Sequence, residues 1–98
     1  MTFNQEVWNL CKEVPKGKVT TYKLIATKLK TKAYRAVGNA LNKNPYAPVV
    51  PCHRVVKSNG EVGGFAKGTN KKIELLKKEG IKIKNNKIAD FEKVLFRF

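Results

Sequence analysis

Helix breakers divide this chain into short pieces, and that division limits the folds open to it. Pro15-Lys16-Gly17, Asn44-Pro45 and Gly80 each follow an apolar stripe of helical period, and proline or glycine at such places stops a helix. Before the first break, Phe3, Val7, Leu10, Cys11 and Val14 fall on one face, with Thr2 as the N-cap. Thr20 or Thr21 starts a second helix containing Leu24, Ile25, Ala26 and Leu29. Thr31 caps a third over Ala33, Val37, Ala40 and Leu41, and a fourth holds Ile73, Leu75, Leu76 and Glu79. The second and third are joined by Lys30-Thr31-Lys32, which reads as a helix-turn-helix or as an ordinary helical hairpin.

Between the helices, residues 46–51 form a proline-punctuated apolar loop. Val55-Val56 and Glu61-Val62 flank Ser58-Asn59-Gly60, a hairpin signal that predicts a two-stranded wing. Gly63-Gly64-Phe65-Ala66-Lys67-Gly68 is a loop whose glycines allow close backbone approach to a ligand, without the spacing of a nucleotide fingerprint. Ile81, Ile83, Ile88 and Phe91 alternate with polar residues around Asn85-Asn86, as a hairpin or packed tail, and Leu95, Phe96 and Phe98 cover core surface. The expected fold is mainly α and winged-helix-like: a helix-turn-helix three-helix core, a small β wing and a C-terminal helix. Ninety-eight residues suit one domain, 1–98, with its core at 3–80 and a tail at 81–98.

A formal charge of +14, from 21 basic and 7 acidic residues, points to a polyanionic partner. Nucleic acid fits better than a merely solvated lysine surface, because the positive charges recur in every segment. A membrane surface fits poorly, since no segment sets a basic face against a broad apolar one. No stretch approaches the roughly 20 apolar residues of a membrane span, and nothing resembles a signal peptide. Cys11 and Cys52 are too few for a disulfide framework, so a reducing, cytoplasmic setting is expected. No Cys/His set has zinc-ligand spacing, and no metal or cofactor is implied.

Pro51-Cys52-His53-Arg54-Val55-Val56 places the single histidine directly after a cysteine. Thiols attack as thiolates, and an ordinary cysteine is only a few per cent ionised at neutral pH. A neighbouring base raises that fraction, which makes Cys52 a candidate nucleophile. The plain alternative is a buried Cys52 beside a satisfied turn histidine. Cys11 lies on the apolar stripe of the first helix and belongs to the core.

Several motifs in order carry a family resemblance: Val19-Thr20-Thr21-Tyr22, Arg35-Ala36-Val37-Gly38-Asn39-Ala40, Asn44-Pro45, the Pro51–Val56 motif and the glycine loop ending at Gly68. From about Phe3 to Gly80 the chain resembles the C-terminal DNA-binding and active-site domain of the O6-alkylguanine-DNA alkyltransferases. That resemblance implies single-turnover DNA repair on double-stranded DNA containing O6-alkylguanine. Cys52 would take the alkyl group irreversibly from a flipped guanine. His53 would accept the thiol proton through a water, and Glu79 would hold the His53 ring. Asn44 would tie the recognition helix to the active-site turn, and Tyr22 would donate to the guanine ring nitrogen. Arg35 would fill the gap left in the base stack, while Ala36 and Gly38 let their helix sit close in the minor groove. Thr21 and Arg54 are further expected DNA contacts. Val55, Phe65 and Ala66 line the base pocket, with backbone groups of Cys52, Val55 and Ala66 reading the base edge. A monomer is implied, with other repair proteins as further partners.

Departures and rivals remain. The family's usual N-terminal domain is not expected here. Tyr34 stands where small residues are usual, and Phe65, Ala66 and Lys67 replace a Tyr-Ser-Gly kind of sequence. Length and tail also resemble the alkyltransferase-like proteins, which bind O6-alkylguanine without transfer and present it to nucleotide excision repair. Those carry Trp or Ala where Cys52 stands, so the thiol favours transfer. A sequence-reading winged-helix regulator would need base-edge readers on the third helix, where Tyr34, Arg35 and Ala36 suit minor-groove work.

Overall fold

The computed structural model describes residues 1–46, 49–65 and 67–98. Its elements run α1 (Phe3–Glu13), β1 (Thr20–Thr21), α2 (Tyr22–Lys28), α3 (Tyr34–Asn42), a 3-10 turn (Cys52–Arg54) and β2 (Val55–Val56). After these come α4 (Thr69–Lys78), β3 (Ile83–Lys84), β4 (Lys87–Ile88) and α5 (Phe91–Val94). The architecture is the expected mainly helical, winged-helix type.

A capping box starts α1. The Gln5 amide donates to Thr2 Oγ1 (3.2 Å), and the Thr2 amide to Gln5 Oε1 (3.0 Å). The buried stripe Val7, Leu10 and Cys11 meets Ile25 and Ala26 of α2 and Val37, Ala40 and Leu41 of α3. Covering each Val, Leu or Ile contributes about 1.5–3 kcal/mol. Trp8 Nε1–H pins the contact by donating to the Ala40 carbonyl at 2.8 Å.

Two details depart from expectation. Thr31 does not cap α3: the N-cap is Ala33, without a side-chain bond, and Thr31 Oγ1 accepts from the Ala33 amide instead (3.1 Å). Lys30, at φ 58°, turns the chain out of α2, and the Thr31 amide closes that end on the Ala26 carbonyl. That leaves Thr31 too early to reach the first turn of α3.

The wing is also built differently. Residues 57–61 do turn back on themselves, with the Lys57 amide donating to the Glu61 carbonyl at 2.9 Å. The ladder partner of Val55–Val56, however, is Thr20–Thr21, in parallel. Glu61 pairs instead with Lys87 of β4, and the Val62 amide donates to the Asn86 carbonyl. β3 and β4 form the hairpin expected around Asn85-Asn86, both at positive φ. Thus the tail supplies the strand that the wing lacks.

That tail closes a second core of Val19, Val56, Val62, Leu76, Ile81 and Ile88. The Val19 amide donates to the Val94 carbonyl (2.8 Å), and the Phe96 amide to the Val19 carbonyl (2.6 Å). Among the described residues, no helix is long and apolar enough to cross a membrane. If the tail is part of the cooperative fold, Ile88→Ala costs about 2–5 kcal/mol. Urea unfolding followed by circular dichroism measures this, with the midpoint moving down.

Candidate functional site

The chemistry-bearing residues meet where α1, α4 and the 3-10 turn converge. Cys52 opens the turn, 6% exposed. Its amide donates to the Val50 carbonyl at 2.8 Å. Asn44 Nδ2 donates to the same carbonyl at 2.9 Å, while Asn44 Oδ1 accepts from the Tyr46 amide. Asn44 therefore joins the end of α3 to the residue pair that leads into the turn.

His53 is 3% exposed. Its Nε2 lies 3.0 Å from Glu79 Oε2. An ionised carboxylate only accepts, so Nε2 carries the hydrogen and Nδ1 is left as the acceptor. Nδ1 is buried with no partner among the described residues. Desolvation lowers the His53 pKa from 6.5, against the raising effect of the Glu79 bond and charge. The imidazole is thus biased towards its neutral, proton-accepting form.

Glu79 is the C-cap residue of α4. It also receives Arg54 as a fork, Nε to Oε1 at 2.9 Å and NH2 to Oε2 at 2.6 Å. Burial works to raise this carboxyl, but the bonds from Arg54 and then His53 outweigh it and hold it below the ordinary value. Arg54 NH1 donates onwards to the Val14 carbonyl at the end of α1 (2.8 Å). Arg54, expected at the DNA, is instead turned inwards, because this carboxylate and carbonyl occupy its guanidinium. Thr21, also expected at the DNA, is 3% exposed and its Oγ1 caps α2 by accepting from the Leu24 amide (3.0 Å).

The β1–β2 ladder pairs Thr20 with Val55 and Thr21 with Val56, which places Tyr22 beside the turn. Burial pushes the Tyr22 phenol above 10.0, with the Cys52 and Cys11 sulfurs adding to the effect, so it remains a protonated donor at neutral pH. A cavity of about 630 Å3 is lined by Tyr22, Tyr34, Arg35, Gly38, Gly64 and Phe65 among others. Cys52 does not line it. Tyr22 and Phe65 border it and also pack against the cluster that contains Cys52. A second cavity of about 410 Å3 shares Tyr22, Tyr34 and Lys57 and adds Lys23, so cations flank the opening.

Arg35 is exposed and Ala36 half-buried on the first turn of α3. A Cβ at Gly38 would meet nothing within 4 Å, so internal packing does not demand glycine there. Val55 is fully buried, and its amide donates to the Cys52 carbonyl. The amides of Cys52 and Val55 are therefore engaged internally, which leaves only carbonyl lone pairs to face a base. Ala66 lies outside the described residues.

Sequence reasoning missed Lys72. It is fully buried on α4, four residues before buried Leu76. A lysine on the apolar face was the available signal, but Lys71, Lys77 and Lys78 beside it hid the pattern.

Residues 2–81 match the family described as 6-O-methylguanine DNA methyltransferase, DNA binding domain. The chain belongs to this family. It is 51% identical over 79 residues to the methylated-DNA–protein-cysteine methyltransferase of Methanosarcina acetivorans, covering 80% of this chain and 51% of that protein. The protein of the same name from Candida glabrata is 44% identical, over 90% and 43% of the two chains. The chain thus spans about half the length of these relatives. Among solved structures, Mycobacterium tuberculosis OGT in complex with DNA superposes with a TM-score of 0.77 at 40% identity, over 81% of this chain and 50% of that one. S. pombe Atl1, in complex with damaged DNA containing O6-carboxymethylguanine, gives 0.85 at 26% identity, over 98% and 95%.

The pKa directions predict a two-stage loss of stability in acid. A histidine lowered on folding stabilises above 6.5, and that contribution is lost as pH falls below it. Glu79, lowered from 4.5, adds a second loss as pH falls through its depressed folded value. Glu79→Gln removes the second stage and keeps the first. Urea midpoints from pH 8 to 3 test this; an unchanged profile below pH 4.5 refutes the Glu79 contribution.

Proposed function

We propose that the protein repairs DNA by moving the alkyl group of O6-alkylguanine irreversibly onto Cys52. One observation carries this reading: His53 is oriented through Nε2 by Glu79 while its buried Nδ1 meets no partner among the described residues, on the residue next to Cys52. In the reaction the thiol proton passes to Nδ1 through a bridging water. The sulfur attacks the alkyl carbon, and a C–S bond forms as the C–O bond breaks. The electron pair moves onto guanine, Tyr22 supplies a proton to the ring nitrogen, and the resulting phenolate is reprotonated through solvent at the expense of the His53 imidazolium. Glu79 stabilises the imidazolium, and Arg54 holds Glu79 ionised. The thioether has no group that water can displace, so each molecule reacts once. Asn44 positions the turn, and Val55, Phe65 and Ala66 bound the base.

O6 of a paired guanine is inaccessible to a thiol, so the base must leave the duplex at a cost of a few kcal/mol. The cavity beside Arg35 and Gly38 suits an extruded purine, and Arg35 fills the vacated stack. Ala36 and Gly38 let α3 approach the minor groove, and the surrounding lysines neutralise phosphates. The domain acts as a monomer on double-stranded DNA and without a cofactor. Its unpaired thiols fit a cytoplasmic, reducing compartment.

A second reading has its own support. The likeness to Atl1 spans nearly all of both chains, as expected of a lesion binder that hands its site to other repair proteins. Incubation with a duplex containing O6-methylguanine discriminates the two. The expected intact mass rises by one methyl group, mapped to Cys52, and Cys52→Ser abolishes the gain while binding persists. An unchanged wild-type mass alongside tight lesion binding establishes the second reading.

The DNA contacts carry a separate prediction. Affinity for duplex falls by roughly 0.9 log unit per decade of salt for each phosphate neutralised. Arg35→Ala weakens lesion binding more than binding to undamaged duplex, as read by fluorescence anisotropy. Equal losses on both reject the stack-filling role.

A further inference from the structure

Lys72 takes no part in the transfer chemistry, yet it heads the fully buried side chains ranked by volume among the described residues. Placing an ammonium in a protein interior is unfavourable unless polar partners compensate. Burial brings its pKa down to about 8, with the nearby Cys52 sulfur acting in the opposite direction. Replacement by an apolar side chain would remove that strain, so retention of the amine calls for an explanation in the site.

Its contacts supply one. Nζ donates to the Gly64 carbonyl at 3.1 Å. It lies over the Tyr22 ring, 5.7 Å from the centroid, within cation–π range. The Tyr22 hydroxyl meets the same Gly64 oxygen at 3.5 Å, at the outer limit of a hydrogen bond, so its proton is free to turn to a better acceptor. Gly63, at φ 78°, completes the unit: a Cβ there would sit 3.5 Å from the Tyr22 hydroxyl and 3.7 Å from Lys72 Nζ. The amine, the phenol and the glycine turn are thus packed as one piece, and both Tyr22 and Gly64 line the larger cavity.

We propose that Lys72 is a positioning residue: its amine locks the Gly64 carbonyl and the Tyr22 ring so that the phenol is aimed at the base in the cavity. It touches neither the alkyl group nor the guanine, and acts through Tyr22. This rests on the transfer reading and deepens it, because it names the group that aims the Tyr22 donor at the flipped guanine.

The test is a double-mutant cycle on the full chain, using single-turnover methyl transfer from an O6-methylguanine duplex at saturating protein. Lys72→Met keeps an unbranched chain and removes the buried charge. Transfer is expected to slow roughly tenfold to a hundredfold, as for a donor misplaced by about an ångström. Affinity for undamaged duplex stays unchanged. In a Tyr22→Phe background the same substitution costs less than about threefold, because the group it positions is gone. Lys72→Gln, which keeps a donor for Gly64, recovers part of the rate and serves in the same cycle if Lys72→Met does not fold. Equal fold-losses in the two backgrounds, or wild-type rates in both Lys72 variants, overturn the proposal. Absence of transfer by the wild type refutes the transfer reading alone. The cycle is then read on the affinity ratio of lesion to undamaged duplex, where equal losses again overturn the role of Lys72.

Discussion

The Glu79 carboxylate is the constraint on which this architecture depends. It accepts one bond from His53 and two from Arg54, and Arg54 carries the network on to the end of α1. An acid at a helix C-terminus opposes the macrodipole, and a largely buried carboxylate loses hydration. Neither the helix dipole nor burial favours Glu79 where it stands. Its two cationic or hydrogen-bearing partners hold it there, and they in turn are fixed by it. Removing the acid would leave Arg54 largely buried without its counter-charge, which is worse than never having had the pair. This interaction joins the ends of two helices to the turn that bears Cys52, so geometry and proton handling share one origin.

From that anchor, short-range features set the remaining positions. The parallel pairing of Thr20–Thr21 with Val55–Val56 draws Tyr22 to the turn, although the two segments are far apart in sequence. Asn44 reaches the carbonyl that also holds the Cys52 amide, so α3 and the Cys52 turn cannot shift independently. The groups expected to bind the base edge and those expected to meet DNA therefore move as one rigid piece. Such preorganisation is what a single-turnover displacement needs, because no later cycle can correct a poor alignment.

Elements defined by strong local signals were legible in the sequence. The Thr2 cap, the stripe through Val7 and Cys11, the Gly80 stop and the Asn85-Asn86 turn each depend on neighbours within a few residues. The candidate pair Cys52 and His53 was legible for the same reason, being adjacent, whereas Glu79 was reached only through the family resemblance. Apart from the Thr31 cap, lost to the local turn at Lys30, what failed depends on distant contacts. Val55-Val56 has the composition of a hairpin strand, but which strand it pairs with is decided by packing, and Thr20–Thr21 wins. Arg54 looks like a DNA contact until the carboxylate and the Val14 carbonyl are placed beside it. Lys72 looks like one more solvated lysine among 21 basic residues. Charge reveals its sign in a sequence but not which side of the protein it faces.

The orphaned nitrogen of His53 bears on the choice between transfer and mere recognition. A protein that only presents a lesion gains nothing from a buried imidazole with an unmet acceptor. The same holds for the supporting acid, whose place at the end of α4 is electrostatically unfavourable. Both features become intelligible if Nδ1 must receive a proton and then carry it as an imidazolium beside an ionised Glu79. Their value appears only when the sulfur next to them gives up its hydrogen.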